Sequence, residues 1–206
     1  MKRIIIMLFI GYSSVCMIAQ SIDINKTIEE ISKAAVSIKT LKCNFIQTKT
    51  LEMLNEKIES KGVMYCSQPN QLRWEYLSPY TYTFILNHYL VLLKNANRND
   101  IIDVKKNRMF GEIARIMMNS VLGKCLTDKK SFKINLINNG TFYVTTLIPL
   151  KKEMKQAFSK IILYYDHKTS MVIKVEMHEK NGDKTLIELI NIQKNTAIDA
   201  SIFEIQ

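Results

Sequence analysis

Three histidines, four cysteines and an adjacent acid pair, Glu29-Glu30, are the side chains best suited to proton transfer, nucleophilic attack or metal binding. Their spacing argues against all three. His88, His167 and His178 fall in expected turns or at a strand end, where solvated surface is the plain reading. No His-x-x-x-His, Cys-x-x-Cys, nucleophile elbow or phosphate loop occurs. Cys43 or Cys125 as a nucleophile would need a base that the sequence does not place. Glu29-Glu30 read as a complement to a helix dipole. The expectation is a protein that is not an enzyme, with no cofactor and no metal site. What remains is apolar chemistry: eleven Met, eight Phe, nine Tyr and a single tryptophan, Trp74. In QPNQLRWEYLSPYTYTFILN, period two puts Leu72, Trp74 and Tyr76 on one side and Arg73 and Glu75 on the other. Such a face either seals a core or lines a cavity for something large and apolar.

The elements that must position this face follow from periodicity. Ile24, Ile28, Ile31, Ala35 and Ile38 recur at helical spacing, which predicts an amphipathic helix of about four turns. Alternating segments follow: LKCNFIQTKTL, KIESKGVMYC, QLRWEY, YTFIL and HYLVLLK, joined by short polar turns as in an antiparallel meander. Hairpin centres at Leu54-Asn55, Pro69, Pro79 and Asn87-His88 would align Phe45, Met64, Trp74, Phe84 and Val91 in one row across five strands. The same register would set Cys43 opposite Cys66, within reach of a cross-strand disulfide. After the loop around Asn95 to Asn99, RMFGEIARIMMNSVLGKCL has helical spacing through Ile113, Met117 and Val121, with Phe110, Ile116 and Leu122 extending the apolar surface. Strands resume with SFKINLI, TFYVTTLIPL, KIILYYD, MVIKVEMH and KTLIELINIQ. The fold class read from this order is mainly β: a curled antiparallel half-barrel of about eleven strands, covered by two or three helices. Its concave side is apolar and either packs as a sealed core or encloses a hydrophobic cavity, as small barrels of this kind often do.

At 206 residues the chain suits one domain. Residues 1–19 read as a secretory signal: Lys2 and Arg3, then the apolar run Ile4 to Ile10, too short to span a bilayer. A lipobox at Cys16 is the rival reading, weakened by the valine before it. Residues 20–206 are then one exported domain, expected in the periplasm. With Cys16 gone, Cys43, Cys66 and Cys125 are an odd number and cannot form a complete disulfide framework. The net charge of +10, less the two positive charges of Lys2 and Arg3, leaves +8. Its carriers are scattered singly and in pairs, with no basic stripe interleaved with aromatics, so nucleic acid is not an expected partner. Anionic lipid headgroups or an acidic partner fit better.

Several of these residues, taken in order, resemble a known family. They are Phe45-Ile46-Gln47 in the first strand, Gly62 in the second, Pro69 followed by LRWEY, and Pro79 with the FILN hairpin. The closing NIQKNTAIDASIFEI, with Asn195, Asp199 and Phe203, completes the pattern. Together they resemble LolA and LolA-like periplasmic lipoprotein carriers, in the form found in Bacteroidetes-type members, over essentially the whole chain beyond the signal. The resemblance implies a curled sheet with helical lids and a cavity that receives acyl chains of lipoproteins. It further implies an inner-membrane ATP-driven complex as donor, an outer-membrane acceptor, a monomeric carrier and no bond chemistry. Exposing a long acyl chain to water costs ~0.8 kcal/mol per CH₂, on the order of 10 kcal/mol in all, and adaptable Met side chains suit reversible shielding of it. The expected cavity residues are Phe45, Met64, Leu72, Trp74, Tyr76, Phe84, Val91, Met117, Met118 and Leu122. Gln68, Ile28 and Ile31 are the expected lid contacts.

Three departures bear on the cargo. Many such carriers have Arg before the proline of the second hairpin, where it helps hold the lid; Gln68 stands there and retains hydrogen-bonding capacity without the charge. The family's Asp-Gly turn is Asn87-His88 here, and the chain stops three residues after Phe203. A glycolipid or lipidated pigment is therefore an alternative cargo, and a lipid sensor of envelope stress an alternative role.

Overall fold

The computed structural model describes residues 23–107, 116, 118, 119 and 124–205. The expected signal, residues 1–19, lies outside the described residues, as do Phe110, Ile113, Met117, Val121 and Leu122.

Helix α1 (Ile24–Ser37) opens the described chain. Asp23 caps it, its carboxylate accepting from the backbone N–H groups of Asn25 and Lys26 at 3.0 and 3.2 Å. This corrects the dipole reading of Glu29-Glu30: the first turn holds no acid, and Glu29 instead pairs with Lys33 at 2.7 Å, one turn on. The buried stripe is Thr27, Ile31 and Ala35, continued by Ile38 at the C-cap, while Ile24 is exposed.

Eleven strands form one antiparallel sheet: β1 (Thr40–Leu51), β2 (Glu56–Ser67), β3 (Gln71–Ser78), β4 (Tyr82–Asn87), β5 (Leu90–Asn95), β6 (Asn99–Asp103), β7 (Phe132–Asn138), β8 (Phe142–Pro149), β9 (Phe158–Asp166), β10 (Val172–Glu179) and β11 (Lys184–Lys194). Their order is β6-β5-β4-β3-β2-β1-β11-β10-β9-β8-β7, so β1 and β11 join two meanders and β6 and β7 are unpaired edges. A short helix, α2 (Lys152–Ala157), sits between β8 and β9. Two elements depart from the expectation. IID, just beyond the expected loop at Asn95 to Asn99, lies in edge strand β6, and KEMKQA forms α2, which buries Met154.

The sheet is strongly curled and does not close. Laid flat, eleven strands at ~4.8 Å spacing would span about 50 Å, whereas each covering helix is only ~10 Å across. Yet one face is dry across the width, from Trp74 and Val91 to Leu147, Leu163 and Val175. Bulges or irregular steps at Lys42/Asn44, at Lys61/Gly62 and within β10 supply local bends.

Two registers differ from expectation, each by two residues. The turn after β1 occupies 52–55 with Asn55 left-handed (φ 50°), so Leu51 faces Glu56, Phe45 faces Gly62 and Cys43 faces Met64. The turn after β4 centres on His88 and Tyr89, with His88 at φ 57°, so Val91 faces Leu86 and Phe84 faces Leu93. A two-residue shift preserves parity and therefore the face. The Cys43–Cys66 pairing does not survive it: Cys66 lies opposite Leu41, Cys43 lies opposite Met64, and Cys43, Cys66 and Cys125 are all buried.

A second, smaller core lies on the outer face. Residues Ala200–Phe203 make a single turn, and Phe203 packs with Ile85 and Leu92. Asp199 fixes the turn by accepting from Ser201 N at 2.9 Å, and Arg73 Nη1 donates to the Ile202 carbonyl at 3.1 Å.

Candidate lipid-binding face

The residues expected in one row converge on the concave face. Met64 faces Trp74, which faces Phe84. Phe45, Met64, Leu72, Trp74, Phe84 and Val91 are 0–7% exposed and share one apolar cluster, with Tyr76 packed against it half-buried. The Phe45 ring lies 4.4 Å from that of Trp74 and meets Tyr76 edge-on at 5.2 Å. Gly62 makes this possible: a Cβ there would stand 2.0 Å from the Glu75 carbonyl oxygen and 2.5 Å from the Phe45 ring. Tyr76 is held by its hydroxyl, which donates to Gln47 Oε1 at 3.0 Å, and it reaches Tyr82 at 6.1 Å between ring centres. At the end of this file of rings a cavity of about 320 Å³ opens among Ser60, Tyr76, Pro79, Tyr80 and Tyr82.

The cover comes from α1 and from described residues between β6 and β7. Ile31, Ala35 and Ile38 bury against the row, and Ile28 packs half-buried beside them. Gln68 Nε2 donates to the Ala35 carbonyl at 3.3 Å and also to that of Ile38, so the residue standing in place of arginine grips the last turn of α1. Asn195 clamps the same turn from β11: its Oδ1 accepts from Lys39 N at 2.7 Å and its Nδ2 donates to the Ser37 carbonyl at 3.1 Å. Helical residues Ile116 and Met118 are buried, and the Met118 sulfur lies 4.0 Å from that of Cys66 on β2. Cys125 and Leu126, in the turn that follows, are buried and that turn touches α1. Met117 and Leu122 fall outside the described residues.

The electrostatics of this face are those of a dry, inert surface. Burial, with Cys66 close by, pushes the Cys43 thiol up to about 12, and burial raises Tyr76 as well. Burial pushes Tyr165 well above the ordinary phenol range, helped by nearby Cys125. A thiol so protonated is a poor nucleophile. Among the described residues, Thr145 Oγ1 and Tyr165 OH on this face are buried without a hydrogen bond. The Trp74 indole N–H also lacks a well-formed partner, though it stands close enough to the Tyr76 hydroxyl to favour its phenolate. Such atoms are costly unless water or a ligand meets them. Sequence reasoning listed only the first half of the face and missed Tyr165, Thr145, Leu147 and Leu163. Alternation in TFYVTTLIPL and KIILYYD marks two faces but not which one is concave.

The histidines are separate from this face's thiols in their described contacts. His88 is exposed in its turn, as expected. The other two correct the solvated reading: His167 is half-buried, its ring 4.3 Å from that of Tyr143, and half-buried His178 lies 3.3 Å from Glu176. No group of three His, Cys, Asp or Glu suited to a metal occurs among the described residues. A second opening of about 590 Å³ lies on the outer face, between Arg73, Thr83, Lys94 and the C-terminal turn.

Comparison with known proteins agrees with this geometry. Residues 36–206 match the family model described as outer membrane lipoprotein carrier protein LolA. An outer-membrane lipoprotein carrier protein of Methylobacillus flagellatus is 23% identical over 178 residues, 86% of this chain and 83% of that one. Among solved structures, a LolA superfamily protein from Nitrosomonas europaea superposes with a TM-score of 0.50 at 9% identity, covering 89% of this chain and 98% of that one. The Pseudomonas aeruginosa MucA/MucB complex gives 0.52 at 10% identity, this chain covering 60% of the matched chain. These structural likenesses establish the fold. With a family match spanning 36–206, the Asn195 clamp, the Phe203 wrap and the Phe45–Gly62 pair all inside it, the chain belongs to the LolA family.

Proposed function

We propose that this protein is a periplasmic carrier that shields the acyl chains of lipoproteins between the inner and the outer membrane. The single observation that carries the reading is the unbroken apolar face. Phe45, Met64, Trp74, Phe84 and Val91 lie side by side under α1 and Met118, in a chain of the LolA family. Acyl chains gain on the order of 10 kcal/mol from leaving water, and a cover made of one hydrogen-bonded helix and a Met-bearing segment can part without breaking the sheet. Met117, Leu122, Leu72 and Tyr76 belong to the same proposed surface, with Gln68, Ile28 and Ile31 holding the cover. No step in this role makes or breaks a covalent bond. The expected partners are an ATP-driven donor complex at the inner membrane and an acceptor at the outer membrane. The N-terminal signal of residues 1–19 directs the export.

Native mass spectrometry of the processed protein, isolated from periplasm without detergent, tests the reading. A bound mass that dissociates as lipoprotein or lipid is expected, and glutamate in place of Met118 should weaken its retention by putting a charge against the acyl chain. A mass that stays clean after incubation with acylated lipoprotein and with free lipids would sink the proposal. A bound glycolipid or pigment would redirect it to another amphiphile.

A further inference from the structure

The turns that join strands at one end of the sheet form a continuous rim with an unusual composition. Backbone and side-chain hydrogen bonds tie them together: Leu150 N to the Ser131 carbonyl at 2.8 Å, Lys180 N to the Ala157 carbonyl at 3.0 Å, and Glu52 N to Asp183 Oδ1 at 3.0 Å. The rim therefore runs from the turn before β7, through α2 and the β10–β11 turn, to the β1–β2 turn. Exposed along it are Lys129, Lys130, Lys152, Lys155, Lys180 and Lys184. Among the described residues none of the six has an ion-pair partner, whereas nearby Glu179 and Asp183 are answered by Lys49 at 3.1 and 3.9 Å. Asp128 is engaged too, accepting from Ser131 N at 3.1 Å; Glu153 stands among the lysines of α2, and Glu52 and Glu56 flank the β1–β2 turn. At the other end of the strands, the corresponding turns carry Lys105, Lys106 and Lys168; the Lys105 amine lies 3.7 Å from the Tyr89 ring centre, and hydrogen bonds from Thr169, helped by Lys168, hold the Asp166 carboxyl below its usual range.

Large apolar side chains stand out of the same rim. Met53 is 90% exposed, Leu54 64% and Leu150 44%, and Tyr80, in the β3–β4 turn at the same end of the sheet, 81%. They sit at turn tips, where burial within the fold cannot be their purpose. Lysines beside protruding apolar tips are the combination that an anionic bilayer surface accepts: amines meet lipid phosphates while the tips enter the headgroup layer. An acidic protein surface would take the lysines but would have no use for four separate apolar tips spread along a curved edge. The tyrosine-lined opening at Ser60, Tyr76 and Tyr82 faces the same end.

We infer that this rim docks the protein on anionic membrane surfaces, with α2 and the turn before β7 as the electrostatic contact and Met53, Leu54, Tyr80 and Leu150 as the inserted tips. Docking goes beyond the carrier role and does not depend on it. The measurement is co-sedimentation of the processed protein with phosphatidylethanolamine vesicles containing phosphatidylglycerol, against pure phosphatidylcholine vesicles. Binding to the anionic vesicles is expected, with loss at high salt. The charge reversal Lys152→Glu with Lys155→Glu should weaken it by at least about tenfold, and Leu54→Ser with Tyr80→Ser by several-fold. Circular dichroism checks that both variants fold, and Lys105→Glu with Lys106→Glu, at the opposite end, serves as a second, equally charged control that leaves binding unchanged. The inference is overturned if the protein stays in the supernatant with anionic vesicles at low salt, which would leave an acidic protein as the taker of the lysines. Equal weakening by the 105/106 reversal overturns it as well. Cargo retained in solution is read separately by native mass on the same variants, so a failure of docking and a failure of the carrier role remain distinct.

Discussion

Gly62 has no room for a side chain, because the Phe45 ring lies across it and the Glu75 carbonyl stands 2.0 Å from where a Cβ would be. Gly62→Ala should therefore cost roughly 3 kcal/mol through forced repacking, read as a lower urea midpoint with an unchanged slope. A glycine in a strand interior was visible in KIESKGVMYC; the ring that needs it was not, since the pairing depended on the turn at 52–55. Cys43 offers a second test at this scale. Its thiol stays protonated in the fold up to about 12, whereas an unfolded thiol ionises near ~8.5. Below that unfolded value both states hold the proton and stability is unaffected. Above it the unfolded chain binds fewer protons than the native one, so stability falls as pH rises toward the folded value, by up to ~1.4 kcal/mol per pH unit. Urea unfolding at a series of alkaline pH values should show this decline, and Cys43→Ala should flatten its slope whatever it does to the absolute stability.

The tie between α1 and the sheet is made by few groups, and this sets how the cover behaves. Gln68 and Asn195 together hold the last turn of α1 through two side-chain amides bonded to backbone atoms of residues 35–39. Gln68→Ala should speed amide exchange across Ile31 to Ile38 by about tenfold through loss of its hydrogen bonds to the Ala35 and Ile38 carbonyls, while β1 and β11 amides keep their protection. Uniform change throughout the sheet would mean that α1 is part of the global unfolding unit rather than a separately opening cover. The helix was legible in its Ile and Ala spacing, and the hairpins in their turn residues and alternation. Edge strand β6 was not: IID is too short for periodicity, and its pairing partner β5 makes it a strand. The short helix α2 escaped for the same reason, with a single buried residue, Met154.

Across the whole molecule, both ends of the chain secure opposite faces of one sheet. The N-terminal helix covers the concave face, and the C-terminal turn places Phe203, 1% exposed, against Ile85 and Leu92 on the convex face. Phe203→Ala should destabilise the protein by about 3–5 kcal/mol, measured by thermal or urea unfolding. It should leave the concave face intact, so cargo retention per folded molecule is unchanged. A loss of retention at full folding would mean that the two faces are coupled through β3 to β5.

What the amino-acid sequence determined on its own was local. Period-two alternation assigned Phe45, Trp74, Tyr76 and Phe84 to a common face, because parity survives any two-residue slip. The spacing of Ile28, Ile31 and Ala35 made an amphipathic helix. Only the tertiary structure decided the rest. Closure of the turns at 52–55 and 88–89 set the register and separated Cys43 from Cys66. Pairing of β1 with β11 united two meanders, and the curl then told Tyr165 and Thr145 that they face inward. The turns are settled by which residues close them, and the union of the meanders by contacts between residues more than a hundred positions apart, such as Leu41 with Lys194; in both, the energy lies in shape and burial and local periodicity carries no information.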